Sequence, residues 1–295
     1  MSNRPRLAVI IASLNRPREL ADVMAALARQ TVTPDRIILS VTKEEDLPPA
    51  QSRQGAEVII GPKGSCHQRN SGIEAVIGNV DYIAFFDDDY LPSKFACERM
   101  VDFLETHADL AGINGHLIAD GINGPGISRE EAEAMIAEFD ARPAPEPKIG
   151  QAVDGLYGCN MAYRASMVQD ARFDENLPLY AWQEDIDFAA QLLPRGRLVQ
   201  SNAFAGVHRG VKGGRTSGVR LGYSQVANPL YLMKKGTMRK GFGWKLMLRN
   251  IASNHVKAFR PEPWVDRWGR VKGNWLAFRH ALTGKLRPDH ILKLG

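Results

Sequence analysis

Between positions 82 and 89 the chain passes from Tyr-Ile-Ala-Phe-Phe straight into three consecutive aspartates, Asp87, Asp88 and Asp89. An unbroken row of apolar, β-prone side chains suits a strand buried on both faces, and such strands belong to the interior of an α/β sheet. The three carboxylates then fall at the carboxyl end of that strand. Their mutual repulsion beside a low-dielectric sheet is costly unless a cation shares the space. Hard oxygen ligands suit Mn²⁺ or Mg²⁺, the usual companions of diphosphate oxygens. A solvated acidic turn is the plainer alternative, but Phe85-Phe86 immediately before it argues for a fixed sheet edge.

The surrounding pattern extends this sheet. Leu7 to Ala12 is a second apolar run, stopping at Ser13-Leu14-Asn15-Arg16-Pro17. It reads as a strand entering a helix. Asn15 is expected to cap the free amides and Pro17 to occupy the first turn, with Leu20, Val23, Met24 and Leu27 recurring at helical spacing. Strands at 36–41 and 57–60 and a helix at 64–77 complete a βαββαβ order. That order predicts a mainly parallel, doubly covered sheet, which binds ligands at the carboxyl ends of its strands. Both Ser13 to Arg16 and the three aspartates lie at such ends.

Further along, a helix is expected to run from beyond Pro92 to about Thr106, and a strand over 110–118. Residues 119–150 read as a surface insertion holding a capping-box helix opened by Ser128 and Glu131 and a Pro-rich linker at 141–147. A Gly-containing strand at 153–163, a helix at 184–193, a Gly-rich loop at 210–218 and helices near 222–236, 242–259 and 265–283 follow.

The net charge of +5 conceals a partition: residues 1–208 hold 19 Lys+Arg against 30 Asp+Glu, and residues 209–295 hold 19 against 3. Four of the five tryptophans (Trp244, Trp264, Trp268, Trp275) lie in the basic part. Trp among Lys and Arg favours a membrane interface or a nucleic acid, and a solvated helical face with core aromatics is the plainer reading. Phe242 to Leu248 is the stretch best suited to entering an interface. No apolar run approaches the about 20 residues of a spanning helix, and the N-terminus lacks the pattern of a secretory signal. A cytoplasmic protein, at most peripheral on the inner face of the membrane, is expected. Cys66, Cys97 and Cys159 show no C-x-x-C spacing and suit reduced core thiols.

Two further groups are ambiguous by themselves. Glu184-Asp185 opens a helix, where carboxylates often only complement the dipole, yet such a pair can also supply a general base beside a pocket. His208 reads equally well as a satisfied structural residue or as a metal ligand.

Taken together, the Val-Ile-Ile-Ala-Ser-Leu-Asn-Arg-Pro strand-turn, Gly-Pro-Lys-Gly before Gln68-Arg69-Asn70-Ser71-Gly72, the strand ending in Asp87-Asp88-Asp89, Gln183-Glu184-Asp185 and His208 resemble the inverting family-2 glycosyltransferases of the GT-A fold. The resemblance covers roughly residues 5–210. It implies a GT-A, Rossmann-like catalytic domain over 1–210, with the insertion at about 119–150, followed over 211–295 by a lid loop and a mainly helical, basic extension. It also implies that Ser13, Asn15, Arg16 and Arg69 flank the nucleotide, that Asp87 and Asp88 face ribose and phosphate, and that Asp89 and His208 hold Mn²⁺ or Mg²⁺. Asp185 is then the base that deprotonates the acceptor, assisted by Glu184. Arg209, with Lys212 or Arg215, would stabilise the departing diphosphate.

The expected partners are a nucleoside-diphosphate sugar and a sugar or lipid-linked acceptor, with peripheral contact to an anionic membrane and no nucleic acid. UDP-sugar is favoured, but the second strand ends in Ser40-Val41-Thr42-Lys43 where many family members carry an Asp-rich turn that reads uracil, so the base stays open. The Gln-x-x-Arg-Trp motif of processive synthases does not occur, which argues for addition of a single sugar. A nucleotidyltransferase making activated sugars would want a Gly-rich loop after the first strand. A nucleic-acid-binding protein would explain the basic tail but not the aspartates.

Overall fold

The computed structural model describes residues 4–213 and 217–294. Two compact units make up the chain: residues 1–63, 67–171 and 192–214 form one, and 64–66, 172–191 and 215–295 the other.

The first unit is built on one mixed sheet. Its strands are β1 (Leu7–Ala12), β2 (Arg36–Val41), β3 (Glu57–Ile60), β4 (Tyr82–Asp87), β5 (Tyr90–Pro92), β6 (Leu110–Asp120), β7 (Ile149–Ala152), β8 (Asn160–Arg164) and β9 (Arg197–His208). They lie in the order β3-β2-β1-β4-β8-β6-β9-β5, with β7 also on β9. The βαββαβ start is present, with α1 (Pro17–Ala28) and α2 (Ser65–Val76) in the expected places.

Apolar alternation explains the layers. Val9 and Ile11 of β1 face a core shared with Leu20, Val23, Met24 and Leu27 of α1 and with Met100, Phe103 and Leu104 of α3 (Ala96–Thr106). Ile10 points the other way, toward α2. There Gly72 lets the helix backbone approach so closely that a Cβ would lie 2.4 Å from the Ile10 side chain. Both faces of β1 are therefore covered.

Three expectations need correction. The sheet is mixed: it is parallel from β3 to β4 and again between β6 and β9, but β8 runs antiparallel to both β4 and β6, and β5 and β7 run antiparallel to β9. The Gly-containing strand at 153–163 is shorter, because only Asn160–Arg164 pairs, and a separate β7 precedes it. Asn15 does not cap α1: Arg16 holds the N-cap position without a side-chain bond, and Asn15 adopts φ +56° with its N–H donated to Asp46 Oδ1 at 2.8 Å. Asn tolerates that left-handed conformation better than most residues. The Ser128–Glu131 capping box does form, opening α4 (Arg129–Asp140). Strand β9 is absent from the sequence reading, because Gln200, Ser201 and Asn202 interrupt its apolar pattern and its pairing with β6 is broken by register shifts.

In the second unit, α6 (Glu184–Leu192) is followed by α7 (Gly218–Lys235), α8 (Lys240–Ala258) and α9 (Arg267–Leu282), after the short α5 (Ala165–Val168) of the first unit. Tyr223, Val226, Met247 and Ala277 form the core of the three long helices. Among the described residues, no helix is long and apolar enough to cross a membrane.

Candidate active site

Strand register assembles the site. Ala12 pairs with Asp87 across β1 and β4, so the residues leaving the two strands, Ser13 and Asp88, emerge side by side. Ser13 Oγ donates to Asp88 Oδ2 at 2.7 Å, and Arg16 Nη1 donates to Asp88 Oδ1 at 2.8 Å and lies 3.7 Å from Asp89. Arg69, on the first turns of α2, donates from Nη2 to Asp87 Oδ1 at 3.0 Å and to the Gly158 carbonyl at 3.2 Å. Each of the first two aspartates thus has its own arginine.

A second register places the histidine. Tyr90, the residue after Asp89, pairs with His208 across β5 and β9, and Asp120 pairs with His208 across β6 and β9. The imidazole is held between carboxylates, with Nδ1 2.8 Å from Asp120 Oδ1 and Nε2 3.4 Å from Asp89 Oδ1 and 4.0 Å from Asp87 Oδ2. Asp89 Oδ2 also accepts the Val211 N–H at 2.7 Å. One ligand atom from each of Asp87, Asp89 and His208 falls within 4.8 Å of the others. Two carboxylates and one imidazole form a donor set that can hold a divalent metal ion.

The electrostatics follow from burial and pairing. Burial raises the Asp88 carboxyl above the ordinary carboxylate range even with Arg16 beside it. Burial also works against ionised Asp89, but His208, Arg16 and the Val211 amide outweigh it and hold that carboxyl low. For His208, burial favours the neutral ring, yet the hydrogen bonds to Asp120 and Asp89 win and raise its pKa to about 10.

Not every anticipated cation points at this cluster. The Arg209 guanidinium donates to Asp22 at 2.9 Å and to the Ile127 carbonyl at 3.3 Å, and Lys212 Nζ donates to the carbonyls of Gly121 and Ile122, both at 2.9 Å. Arg215 lies outside the described residues. Arg16 reaches further than expected: its guanidinium also donates to the Val211 carbonyl at 3.0 Å and to the Gly213 carbonyl, tying the first strand-turn to the segment after His208.

Glu184 and Asp185 belong to the second unit, at the start of α6. Leu179, Ala181 and Gln183 just before them have φ of +60°, +55° and +78°. Three non-glycine residues in left-handed conformation within five positions store strain that is commonly found at functional sites. Glu184 is buried, and the Oε1 of Gln183 is buried without a hydrogen-bond partner among the described residues.

Two contributors, Asp120 and Asp46, escaped the sequence reading, and a third, Gln68, stood in the quoted motif without a role of its own. Asp120 orients His208, and its signal was present: like Asp87, it is the carboxylate that ends a largely apolar strand. Asp46, fully buried, accepts the amides of Asn15 and Thr42 and fixes the turn after β1. Gln68 donates to the carbonyls of Ser13 at 2.8 Å and Ser40 at 2.7 Å and clamps the ends of β1 and β2.

A family model described as glycosyl transferase family 2 matches residues 8–172. The chain belongs to that family. Its α/β sheet with a helical C-terminal region is of the GT-A type. Among solved structures, S. aureus TarS is similar at 14% identity and a TM-score of 0.50, over 87% of this chain and 44% of that one. A shorter form, S. aureus TarS 1-349, gives 13% identity and a TM-score of 0.53 over 98% of this chain and 83% of that one. The glycosyltransferase therefore spans less than half of the longer TarS chain, and at these identities the likeness is one of fold. No curated protein sequence matches it.

Proposed function

We propose that this glycosyltransferase moves a single sugar from a nucleoside-diphosphate sugar, UDP-sugar favoured, to a hydroxyl acceptor with inversion at the anomeric carbon. The grouping of Asp87, Asp89 and His208 supports the reading. Asp89 and His208 are the proposed ligands for Mn²⁺ or Mg²⁺, with Asp87 beside them. A bound ion supplies charge neutralisation for the departing diphosphate. Ser13, Asn15, Arg16 and Arg69 flank the nucleotide, and Asp87 and Asp88 face ribose and phosphate. Arg209 and Lys212 serve the diphosphate by exchanging their present partners for phosphate oxygens.

Asp185 takes the acceptor proton, with Glu184 orienting it. The bond from the acceptor oxygen to the anomeric carbon forms as the bond from that carbon to the diphosphate oxygen breaks. A single displacement of this kind inverts the configuration. The catalytic domain in this reading is 1–210 and the extension 211–295, and the acceptor is a lipid-linked or surface-glycan intermediate met at the inner face of an anionic membrane. A thermal-shift panel of nucleoside diphosphates with and without Mn²⁺ tests the donor site. One base should stabilise the protein markedly and only with metal, since a ligand that binds the folded state alone raises its stability. A response to none of them would overturn the reading.

A further inference from the structure

Most of the surface of α8 and α9 in the second unit is neither core nor ion-paired. Along α9, Trp268, Lys272, Trp275, Arg279 and Leu282 recur at alternating spacings of four and three, which lines them up on one face. That face is exposed, with Trp275 at 62% and Leu282 at 90%. Along α8, Gly243, Met247, Asn254 and Ala258 are buried, whereas Trp244, Leu248 and Val256 stand outward, continued by Phe259 at 83% exposure. The expected inserting stretch, Phe242 to Leu248, is thus split between an inward and an outward side.

The two outward faces join. Trp275 Nε1 lies 3.0 Å from His255 Nε2, and the buried Asn254 Nδ2 donates to Asn274 Oδ1 at 3.1 Å beneath them, locking the helices together. The charge around this joint surface is of one sign. Lys245 and Arg249 flank the α8 row, and Lys272 and Arg279 lie within the α9 row. No ion pair to these four occurs among the described residues. The three acids of residues 209–295 are committed elsewhere: Glu262 to Lys257 and Arg267, Asp266 to the amide of Gly269, and Asp289 to Arg287.

We propose that the exposed faces of α8 and α9 dock this unit on an anionic bilayer. The aromatic and aliphatic side chains enter the headgroup region, and the interleaved Lys and Arg meet lipid phosphates. Exposed Trp and aliphatic side chains among Lys and Arg are what a protein surface seated at the interface of an anionic bilayer presents. A second copy of the surface would set like charges against one another without acids to relieve them. A nucleic acid would leave Leu248, Val256, Phe259 and Leu282 without a use, since its interfaces are polar. The proposal specifies the membrane contact suggested above but does not depend on the donor chemistry.

Flotation of the full chain with vesicles of phosphatidylglycerol mixed with phosphatidylcholine, against phosphatidylcholine alone, tests it. The protein should float with the anionic vesicles only, be released as salt rises, and show a blue-shifted tryptophan emission when bound. Phe259→Ser with Leu282→Ser alters side chains that hardly touch the fold, so the melting temperature should hold while vesicle affinity falls about tenfold or more. Lys272→Gln with Arg279→Gln should lower it by roughly an order of magnitude as well. Nucleoside-diphosphate binding should be the same in both variants, which separates this surface from the catalytic reading. Equal flotation with neutral vesicles, no flotation with either, or wild-type affinity in both variants would overturn the proposal. So would a dimer that the variants dissociate, which would assign the surface to a second copy.

Discussion

Asp120 holds the Nδ1 edge of His208 at 2.8 Å, and this turns the Nε2 edge toward Asp89 and Asp87. A carboxylate behind a histidine fixes its ring and tautomer and raises its basicity as a ligand, and losing such a partner commonly costs 10–100-fold in metal affinity. Asp120→Asn is therefore expected to weaken Mn²⁺ binding by about that factor in calorimetry while leaving the fold intact. Unchanged affinity would reduce Asp120 to a structural role.

Asp89→Ala should abolish metal-linked binding of the nucleoside diphosphate, because it removes the carboxylate nearest Nε2 of His208, at 3.4 Å. Calorimetry with and without Mn²⁺ is the measurement. Retained metal dependence would move the site away from the end of β4.

Asp185→Asn keeps the side chain's size and removes its basicity. Turnover should drop by about 10² or more, the ordinary worth of acid–base catalysis, with donor affinity nearly constant. If turnover stays close to wild type, the base is Glu184 or another group.

Lys235 clamps the second unit, with Nζ 2.8 Å from the fully buried Asp187 and 2.6 Å from Asp174. Thr237 Oγ1 donates to Asp187 as well, at 2.6 Å. Lys235→Met strands a buried carboxylate and should cost about 2 kcal/mol, less than a fully buried pair because the lysine side chain keeps 32% exposure. The sign of the pH dependence is set by Asp174: burial opposes its charge, but Lys235 and Tyr231 prevail and depress its pKa. Its contribution is present above the unfolded carboxylate pKa of about 4 and is lost as pH falls through the depressed value. Urea unfolding should therefore show a wild-type advantage at pH 7 that shrinks in acid. An advantage that grew in acid would contradict the clamp.

Much of the first unit was legible because its signals are local. The runs at 7–12 and 82–86 are too short and too apolar for anything but buried strands, and the carboxylates after Phe86 mark a strand end wherever the sheet places it. The helices of the C-terminal part were visible at nearly the right bounds through their periodicity. Asn15 was misread because the partner that decides its conformation, Asp46, lies 31 positions away and beyond a second strand.

By itself the amino-acid order determined that a GT-A-like sheet would form, that Asp87, Asp88 and Asp89 would stand at the carboxyl end of one of its strands, and that the basic charge would gather after residue 208. Tertiary structure alone decided which carboxylate meets which cation. Asp120 reaches His208 only because β6 and β9 pair in a shifted register, and Arg16 takes Asp88 only because β1 and β4 end level with each other. Strand tendency is written in neighbouring side chains, whereas register between distant strands is set by the packing of the whole sheet, which no local pattern encodes.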